Sequence, residues 1–89
     1  MKVILRQDAE DDLERIFGWI AEDDAMAAVS LAARIRDRIG LLELNGLAHM
    51  GRPGTVSGTR ELIEHPYIIA YRVDEAHREI AVLAIFRGA

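Results

Sequence analysis

The segment Tyr67–Phe86, YIIAYRVDEAHREIAVLAIF, contains two apolar runs joined by a short polar stretch. The first run is Tyr67–Val73 and the second is Ile80–Phe86, and Asp74–Arg78 between them is short enough for the turn of a hairpin. Each run is apolar on both of its alternating faces, which is typical of central strands that are covered on both sides. The segment therefore predicts two adjacent antiparallel strands at the centre of a sheet.

The residues before this segment predict a third strand and a helical hairpin. Thr59–Glu64 is strand-like, and His65-Pro66 separates it from the next run, so the three runs together predict an antiparallel meander. Further upstream, apolar residues recur with the spacing of amphipathic helices in two stretches. The members of these two stripes are Ala9, Leu13, Ile16, Phe17 and Ile20 in the first, and Ala28, Ala32, Ile35, Ile39 and Leu42 in the second.

The limits of the two helices follow from capping residues. Asp8 is the expected N-cap of the first helix. The acidic residues that follow it fit the first turn, because the helix dipole stabilises negative charge there. Glu22–Asp24 interrupts the first stripe and supplies an N-cap for a second helix that runs from about Ala25 to Leu44. Asn45-Gly46 is expected to end that helix, because both residues tolerate a left-handed backbone.

The complete pattern predicts an α+β fold. Lys2–Leu5, KVIL, is expected to form an N-terminal strand, followed by the α-helical hairpin, a glycine-rich loop over residues 46–58, and the three-stranded antiparallel meander in one sheet. The hairpin can cover only one face of that sheet. The other face requires a C-terminal helix, a second copy or a partner protein, and the sequence ends too soon after Phe86 to supply the helix.

Composition limits the class of protein. The 89 residues, 51% of them hydrophobic, are enough for one small domain, which we expect to span residues 1–89. The formal net charge of −4 disfavours binding to bulk nucleic acid through clustered cations. The absence of cysteine excludes disulfides and fits a reducing cytoplasm. No apolar run approaches the roughly 18 residues of a membrane helix, and MKVILRQD is not a signal peptide, so we expect a soluble cytoplasmic protein.

The charges are distributed unevenly along the chain. Residues 1–24 hold eight of the 15 acids, whereas every cation after Arg15 is an arginine. Five of these lie in the sheet half of the chain, and four of the five are candidate contacts with a partner or target, because arginine suits two-pronged recognition of carboxylate or phosphate. They are Arg52, Arg60, Arg72 and Arg87. The residues leave open the alternative that Arg60 or Arg72 pairs across strands with Glu61, Glu64 or Asp74.

The sequence contains no motif for catalysis or for a cofactor. The three histidines have no compact metal-site spacing, the two serines lack a nucleophile signature, and GRPGTVSG lacks the Gly-Lys-Ser/Thr ending of a phosphate-binding loop. The acid pairs Asp11-Asp12 and Asp23-Asp24 are interpreted as helix starts. Arg34, Arg36 and Arg38 are interpreted as a solvated face of the second helix. We therefore expect no catalytic residue, cofactor or metal.

The block Gly51–Leu62, GRPGTVSGTREL, together with the two apolar runs and the ending IAVLAIFRGA, resembles the ParE branch of the ParE/RelE toxin superfamily. The positions that match the family motif are Gly51, Gly58, Thr59, Glu61, Leu62, Tyr67 and Tyr71. The resemblance extends over essentially the whole chain. It implies a toxin of a bacterial type II toxin–antitoxin module, of the kind often carried for plasmid stabilisation, and a ParD-like antitoxin that neutralises it. Such a partner would cover the second face of the sheet.

The two branches of the superfamily imply different activities. RelE-like members cleave messenger RNA on the ribosome with basic side chains on the strands and a C-terminal tyrosine. Here the corresponding strand positions hold Thr59, Glu61 and Ile68, and no tyrosine follows the last strand up to Ala89. The resemblance to the ParE branch therefore implies inhibition of DNA gyrase by protein binding, with no catalytic residue and no direct contact with nucleic acid. Two alternatives stay open: a messenger RNA endonuclease that uses three of the candidate arginines, and an inactive toxin fold that only binds an antitoxin.

Overall fold

The computed structural model describes residues 1–88, which form two α-helices and a five-stranded sheet. The elements in chain order are β1 (Lys2–Leu5), α1 (Gln7–Asp23), α2 (Ala25–Gly40), β2 (Arg52–Pro53), β3 (Arg60–Glu64), β4 (Tyr67–Asp74) and β5 (Glu79–Arg87), with a 3-10 turn at Leu41–Glu43. The strand order is β1-β5-β4-β3-β2, and only β1 and β5 are parallel neighbours. The α+β class, the helical hairpin and the meander are as predicted. The short strand β2 is an addition, since its residues lie in the predicted loop.

The helical hairpin packs on one face of the sheet, and the core lies between the two layers. Alternate residues of β4 point towards the helices, so that Tyr67, Ile69 and Tyr71 are at most 6% exposed. The neighbouring strands follow the same alternation, because Ile69 lies opposite both Leu62 and Ile85. The helices contribute mainly the predicted stripe residues to this cluster: Ala9, Leu13, Ile16, Leu31, Ile35, Ile39 and the following Leu42.

The opposite side of the sheet, termed here the outer face, is formed by the intervening residues. On β3, β4 and β5 it comprises Glu61, Ile63, Ile68, Ala70, Arg72, Ala81, Ala84 and Phe86. Two of its large apolar side chains, Ile63 and Phe86, remain 38% and 41% exposed. Within residues 1–88 no helix covers this face, in agreement with the prediction that the hairpin covers one face only.

The first helix begins earlier than the sequence predicts. Arg6 is the N-cap residue and its side chain makes no capping hydrogen bond, so Asp8 lies inside the first turn and the prediction of an Asp8 cap is wrong. The cause is a tertiary contact. The Arg6 N–H donates to the Val82 carbonyl at 3.0 Å, which extends the pairing of β1 with β5 up to the start of the helix.

The second helix begins as predicted and ends early. Asp24 is its N-cap, and the carboxylate accepts a backbone N–H of the first turn at 3.0 Å. The helix ends at Gly40 and not at Leu44, because the residues that follow tighten into the 3-10 turn. That turn places Glu43 so that its Oε2 accepts the N–H of Val3 on β1 at 3.0 Å.

A carboxylate on α1 is bound to the backbone of β5. β1 pairs with β5 only as far as Leu5 opposite Val82, so the following residues of β5 have no strand on that side. There the Ile85 N–H donates to Asp12 Oδ2 at 2.9 Å. Asp12 therefore links the helix to the sheet. The sequence predicted a role at the helix start only, and this prediction is incomplete.

Candidate functional site

The outer face carries a cleft of about 310 Å³ beside the loop that follows β2. The residues around it are Thr55, Val56, Thr59, Glu61, Ala70, Arg72, Leu83, Ala84 and Phe86. Its floor is apolar, because Ala70 and Ala84 lie opposite each other and Leu83 is the additional residue at the bulge of β5. Val56, on the loop, is 63% exposed. The cleft is therefore open apolar surface on the side of the sheet that the helices leave free.

Glu61 is buried at the edge of the cleft with its charge already paired. It is 8% exposed, and its Oε1 lies 3.0 Å from Arg52 Nη2 and 3.1 Å from Arg52 Nε. Thr55 Oγ1 donates to the second carboxylate oxygen at 3.4 Å. In the pairing of β2 with β3, Arg52 lies directly opposite Glu61, so the ion pair joins the two strands at this position. Arg52, a predicted partner contact, thus also has a partner within its own chain.

Arg72 is the unpaired cation at the rim of the cleft. It is exposed, and within residues 1–88 it forms no ion pair and no side-chain hydrogen bond. Asp74, two residues further along the same side of β4, is bound instead to His77: Oδ1 accepts the His77 N–H at 3.1 Å, and Oδ2 lies 2.8 Å from Nδ1. With Glu61 bound to Arg52, the cross-strand ion pairs considered for Arg72 do not form.

The contacts of Asp74 predict a measurable titration. The backbone N–H of His77, and then its ring, lower the pKa of Asp74 below the usual value. A lowered pKa stabilises the turn at pH above the unfolded-state value of about 3.9, and this contribution is lost as the pH falls through the folded-state value. We expect NMR titration of the Asp74 carboxyl to give a pKa below about 3.9. His77→Ala should raise it only in part, because the backbone N–H remains, and an unshifted native Asp74 would contradict these contacts.

Gly51 anchors the loop that bounds the cleft. Its N–H donates to the Tyr71 hydroxyl at 3.0 Å, and its carbonyl accepts Arg60 Nε at 2.9 Å. A Cβ at this position would lie 2.7 Å from the Glu61 carbonyl oxygen and 2.8 Å from the Tyr71 hydroxyl, so a larger residue would displace backbone. The family-motif positions Gly51 and Tyr71 therefore fix the loop on the sheet, and Arg60 takes part in the same anchor.

The remaining motif residues close the loop on itself. The Gly54 N–H donates to the Thr59 carbonyl at 2.8 Å, and Thr59 Oγ1 donates to the Val56 carbonyl at 2.6 Å. Gly58 has a φ of 82°, in the left-handed region that glycine adopts without a steric penalty. This side of the cleft is consequently a preformed wall. The motif is visible in the sequence, but no local pattern of residues indicates this structural role.

The four candidate arginines do not form one cluster. Arg52 and Arg72 lie on the outer face, whereas Arg60 and Arg87 lie opposite core tyrosines of β4 and so belong to the helix-facing side. Arg87 lines a different cleft, of about 420 Å³, together with residues of α2 such as Arg34. Of the four, Arg72 is the one that meets the outer-face cleft without an intrachain partner among residues 1–88.

A second open surface lies between α1 and α2. This helical groove has a volume of about 350 Å³ and is lined by Glu10, Leu13, Glu14, Phe17, Ala32 and Arg36. Phe17, predicted as a core residue, is 38% exposed here. Arg36 Nη2 lies 3.7 Å from Glu10 Oε2, so these two charges of the groove are paired. Ala32, a member of the predicted stripe of the second helix, lines this groove, and its small side chain leaves the groove open.

Arg38 differs from its interpretation as part of a solvated helix face. Its side chain is half-buried, and Nη2 donates to the Ile63 carbonyl of β3 at 3.1 Å. Its Nε is buried and has no hydrogen-bond partner in the described part of the chain. The residue ties α2 to β3, whereas Arg34 and Arg36 are exposed as expected.

Two kinds of site are absent from residues 1–88. They contain no group of three or more His, Asp or Glu side chains that could hold a metal ion. None of the helices formed by these residues combines the length and the apolar character needed to cross a membrane. The surfaces that remain for function are the outer-face cleft, the helical groove and the other open clefts of the described residues, such as the one that Arg87 lines.

Comparison with known proteins finds relatives over nearly the full length of the chain. A family model described as the ParE toxin of the type II toxin–antitoxin system parDE matches residues 3–89. A protein of Sinorhizobium fredii (strain NBRC 101917 / NGR234) named as a candidate toxin, Y4kP, is 36% identical over 78 residues, which cover 85% of this chain and 76% of that protein.

Two solved structures share the fold. A chain of the chromosomal ParDE toxin–antitoxin system from Pseudomonas aeruginosa matches with a TM-score of 0.87 at 26% identity, over 100% of this chain and 97% of that chain. A chain of the toxin–antitoxin complex RelBE2 from Mycobacterium tuberculosis matches with a TM-score of 0.60 at 24% identity, over 97% and 95% of the two chains. The second likeness is one of fold alone. The first structure, with the higher TM-score, comes from a ParDE system, which agrees with the match to the ParE toxin family model.

Proposed function

This chain belongs to the family of ParE toxins of type II toxin–antitoxin systems, and we propose that it acts in the cytoplasm as a single-domain toxin that binds and inhibits DNA gyrase. A ParD-like antitoxin neutralises it by direct binding. Inhibition requires no chemical step by the toxin itself.

The open apolar surfaces support a protein partner. Phe17 in the helical groove and Phe86 on the outer face are 38% and 41% exposed, and Val56 beside the cleft is 63% exposed. Burial of such surface contributes about 25 cal/mol per Å² before the costs of association. The helical groove presents Glu10, Leu13, Glu14 and Phe17 of α1 at helical spacing, which suits a partner helix laid along it. The solved chain that matches at 26% identity comes from a ParDE toxin–antitoxin system.

The main support for a non-catalytic mechanism is the small number of charged side chains in the outer-face cleft. A ribonuclease needs several cations and acid–base groups around the scissile phosphate. Here the cleft has one unpaired cation, Arg72, above a floor of alanine and leucine, and it contains the Glu61 carboxylate. That carboxylate is paired with Arg52, so Arg52 is not free to hold the phosphate that such an enzyme must bind. The arrangement therefore favours binding to a protein over cleavage of RNA.

Expression of the chain alone tests the proposal. Induction in a bacterium is expected to stop growth, and the purified protein is expected to inhibit supercoiling by purified DNA gyrase. Messenger RNA in a ribosome-programmed cleavage assay is expected to stay intact. Cleaved transcripts with normal supercoiling would establish the endonuclease instead, and normal growth at high expression would leave a fold that only binds an antitoxin.

A further inference from the structure

We propose that the outer-face cleft is the surface by which this toxin contacts its target protein, and that it accepts a peptide segment with an apolar side chain next to a carboxylate. The inference rests on the proposed function, inhibition by protein binding, and adds the place and the chemistry of the contact. In the bound state the apolar side chain lies on the alanine floor and the carboxylate pairs with Arg72.

The shape of the cleft fits side chains of an extended segment. The cleft has a volume of about 310 Å³, and its floor consists of Ala70, Ala84 and Leu83. The two small alanines leave room for a side chain of the partner. Val56 and Phe86 border this floor and are 63% and 41% exposed. An apolar side chain placed between them removes their surface from water as well as its own, which is the main favourable term in association.

The charges select an acidic segment. A cation that is desolvated without a partner carries a large free-energy cost, so a protein covering Arg72 must supply an anion. Within residues 1–88 no carboxylate forms an ion pair with Arg72, and the two considered for it, Glu61 and Asp74, are held by Arg52 at 3.0 Å and by His77. A carboxylate of the partner meets this need through a charge-assisted hydrogen bond. A nucleic acid does not fit, because one cation beside a buried carboxylate gives little counterion release.

The cleft is ready to bind before the partner arrives. Its loop wall is fixed by the Gly51 N–H on the Tyr71 hydroxyl, at 3.0 Å, and by the Thr59 hydroxyl on the Val56 carbonyl, at 2.6 Å. A preformed site has little ordering entropy to lose on association. The helical groove differs in its charges, since Arg36 is already paired with Glu10 at 3.7 Å and needs no carboxylate from a partner.

Substitutions on the two faces test the assignment. Arg72→Glu reverses the charge at the rim, and Val56→Asp places a charge over the apolar floor at an exposed loop position. Arg34→Glu is the matched control, because Arg34 is an exposed arginine on the helical side, 4.0 Å from its nearest carboxylate partner, Glu64. Circular dichroism and thermal unfolding first establish that each variant is folded.

The readout is the protein concentration that half-inhibits supercoiling by purified DNA gyrase. Arg72→Glu and Val56→Asp are each expected to raise it about tenfold or more, in line with the loss of a desolvated charge pair or of apolar contact. Arg34→Glu is expected to stay within about twofold of the parent protein, a change worth under 1 kcal/mol. Arg72→Lys keeps the charge without the two-pronged geometry and is expected to fall between these limits.

The outcomes separate this inference from the proposed function. Inhibition of gyrase by the parent protein and equally by Arg72→Glu and Val56→Asp would overturn the cleft assignment alone. Growth arrest without gyrase inhibition would overturn the choice of gyrase, and the same variants, scored by growth, would still decide whether the cleft contacts the target. Loss of antitoxin binding with full inhibition would assign the cleft to the antitoxin, and Arg72-dependent binding of a single-stranded oligoribonucleotide would assign it to RNA. A parent protein that neither inhibits nor arrests growth would overturn both.

Discussion

Replacement of Tyr71 by alanine is expected to lower the free energy of unfolding by about 3–5 kcal/mol, the range for loss of a large buried aromatic side chain. Tyr71 is 0% exposed and lies opposite Val82 in the middle of the sheet. The substitution also removes the acceptor of the buried Gly51 N–H. Chemical denaturation followed by circular dichroism measures the effect, and a loss below about 1 kcal/mol, that of an ordinary substitution, would contradict this packing.

Tyr71→Phe separates the ring from the hydroxyl. It keeps the packing but leaves the Gly51 N–H without its partner, at an expected cost of about 1–2 kcal/mol. Tyr67→Phe is the matched control, because Tyr67 is also buried, at 6% exposed, whereas the Gly51 N–H donates to the hydroxyl of Tyr71. The control is expected to stay within about 0.5 kcal/mol of the parent protein. A larger effect at Tyr67 than at Tyr71 would show that the hydroxyl does not anchor the loop.

Core and cleft are built from the same strand. Ile69 and Tyr71 of β4 face the helices, whereas Ala70 and Arg72 between them face the cleft. Because side chains alternate along a strand, a shift of one residue in the pairing of β4 would exchange the two sets. The tyrosine that stabilises the core therefore also fixes which residues line the outer face, and its hydroxyl holds the loop that forms the wall of the cleft.

The sheet and the helical hairpin were predictable because their signals are local. The apolar runs of β4 and β5 and the helical stripes show the periodicity of each element within a few residues. The same reasoning predicted an uncovered face, since Tyr67–Val73 and Ile80–Phe86 are apolar on both sides whereas one hairpin covers a single side. The structure confirms this at Ile63 and Phe86, which remain exposed.

The remaining features depend on contacts between distant residues, and for these no local pattern exists. The start of α1 at Gln7 follows from the bond of the Arg6 N–H to Val82, and the strand β2 follows from the pairing of Arg52 with Glu61. Glycine and proline in residues 46–58 correctly predicted the absence of a long element there. They carried no information on a two-residue pairing that is stabilised by the ion pair of the exposed Arg52 with the buried Glu61.

The candidate site was predictable in part. Arginine chemistry suits acidic partners, and Arg72 lines the outer-face cleft without an ion pair among residues 1–88, so its role as a partner contact stays a prediction. Arg52 and Arg60 have the same chemistry but are bound to Glu61 and to the Gly51 carbonyl. Residue type alone does not distinguish these cases, because the difference lies in which neighbours the fold brings within hydrogen-bond distance.

Replacement of Asp12 by alanine is expected to lower the free energy of unfolding by about 1.5–3 kcal/mol, the range for a hydrogen bond to a charged group. Asp12 Oδ2 accepts the Ile85 N–H at 2.9 Å, where β5 has passed the end of β1. An edge strand has N–H groups without a strand partner, and a carboxylate is one means of satisfying them. The alanine variant leaves a partly buried donor unpaired and detaches α1 from β5. Hydrogen exchange of the Ile85 amide should accelerate by more than that of its neighbours.

Asp11→Ala is the control for this substitution, because it removes the same side chain from the adjacent position of the same helix. Asp11 is exposed and accepts a hydrogen bond from Gln7 Nε2 at 2.9 Å, a contact between two surface side chains. Both substitutions remove one negative charge near the helix N-terminus, so their dipole effects are similar. Each substitution also removes one surface contact, that of Asp11 with Gln7 or that of Asp12 with the exposed Arg15. Exposed contacts of this kind contribute little, so the difference between the two variants reports mainly the bond to Ile85. Equal losses for Asp11→Ala and Asp12→Ala would show that the charge on α1, and not its link to β5, stabilises the fold.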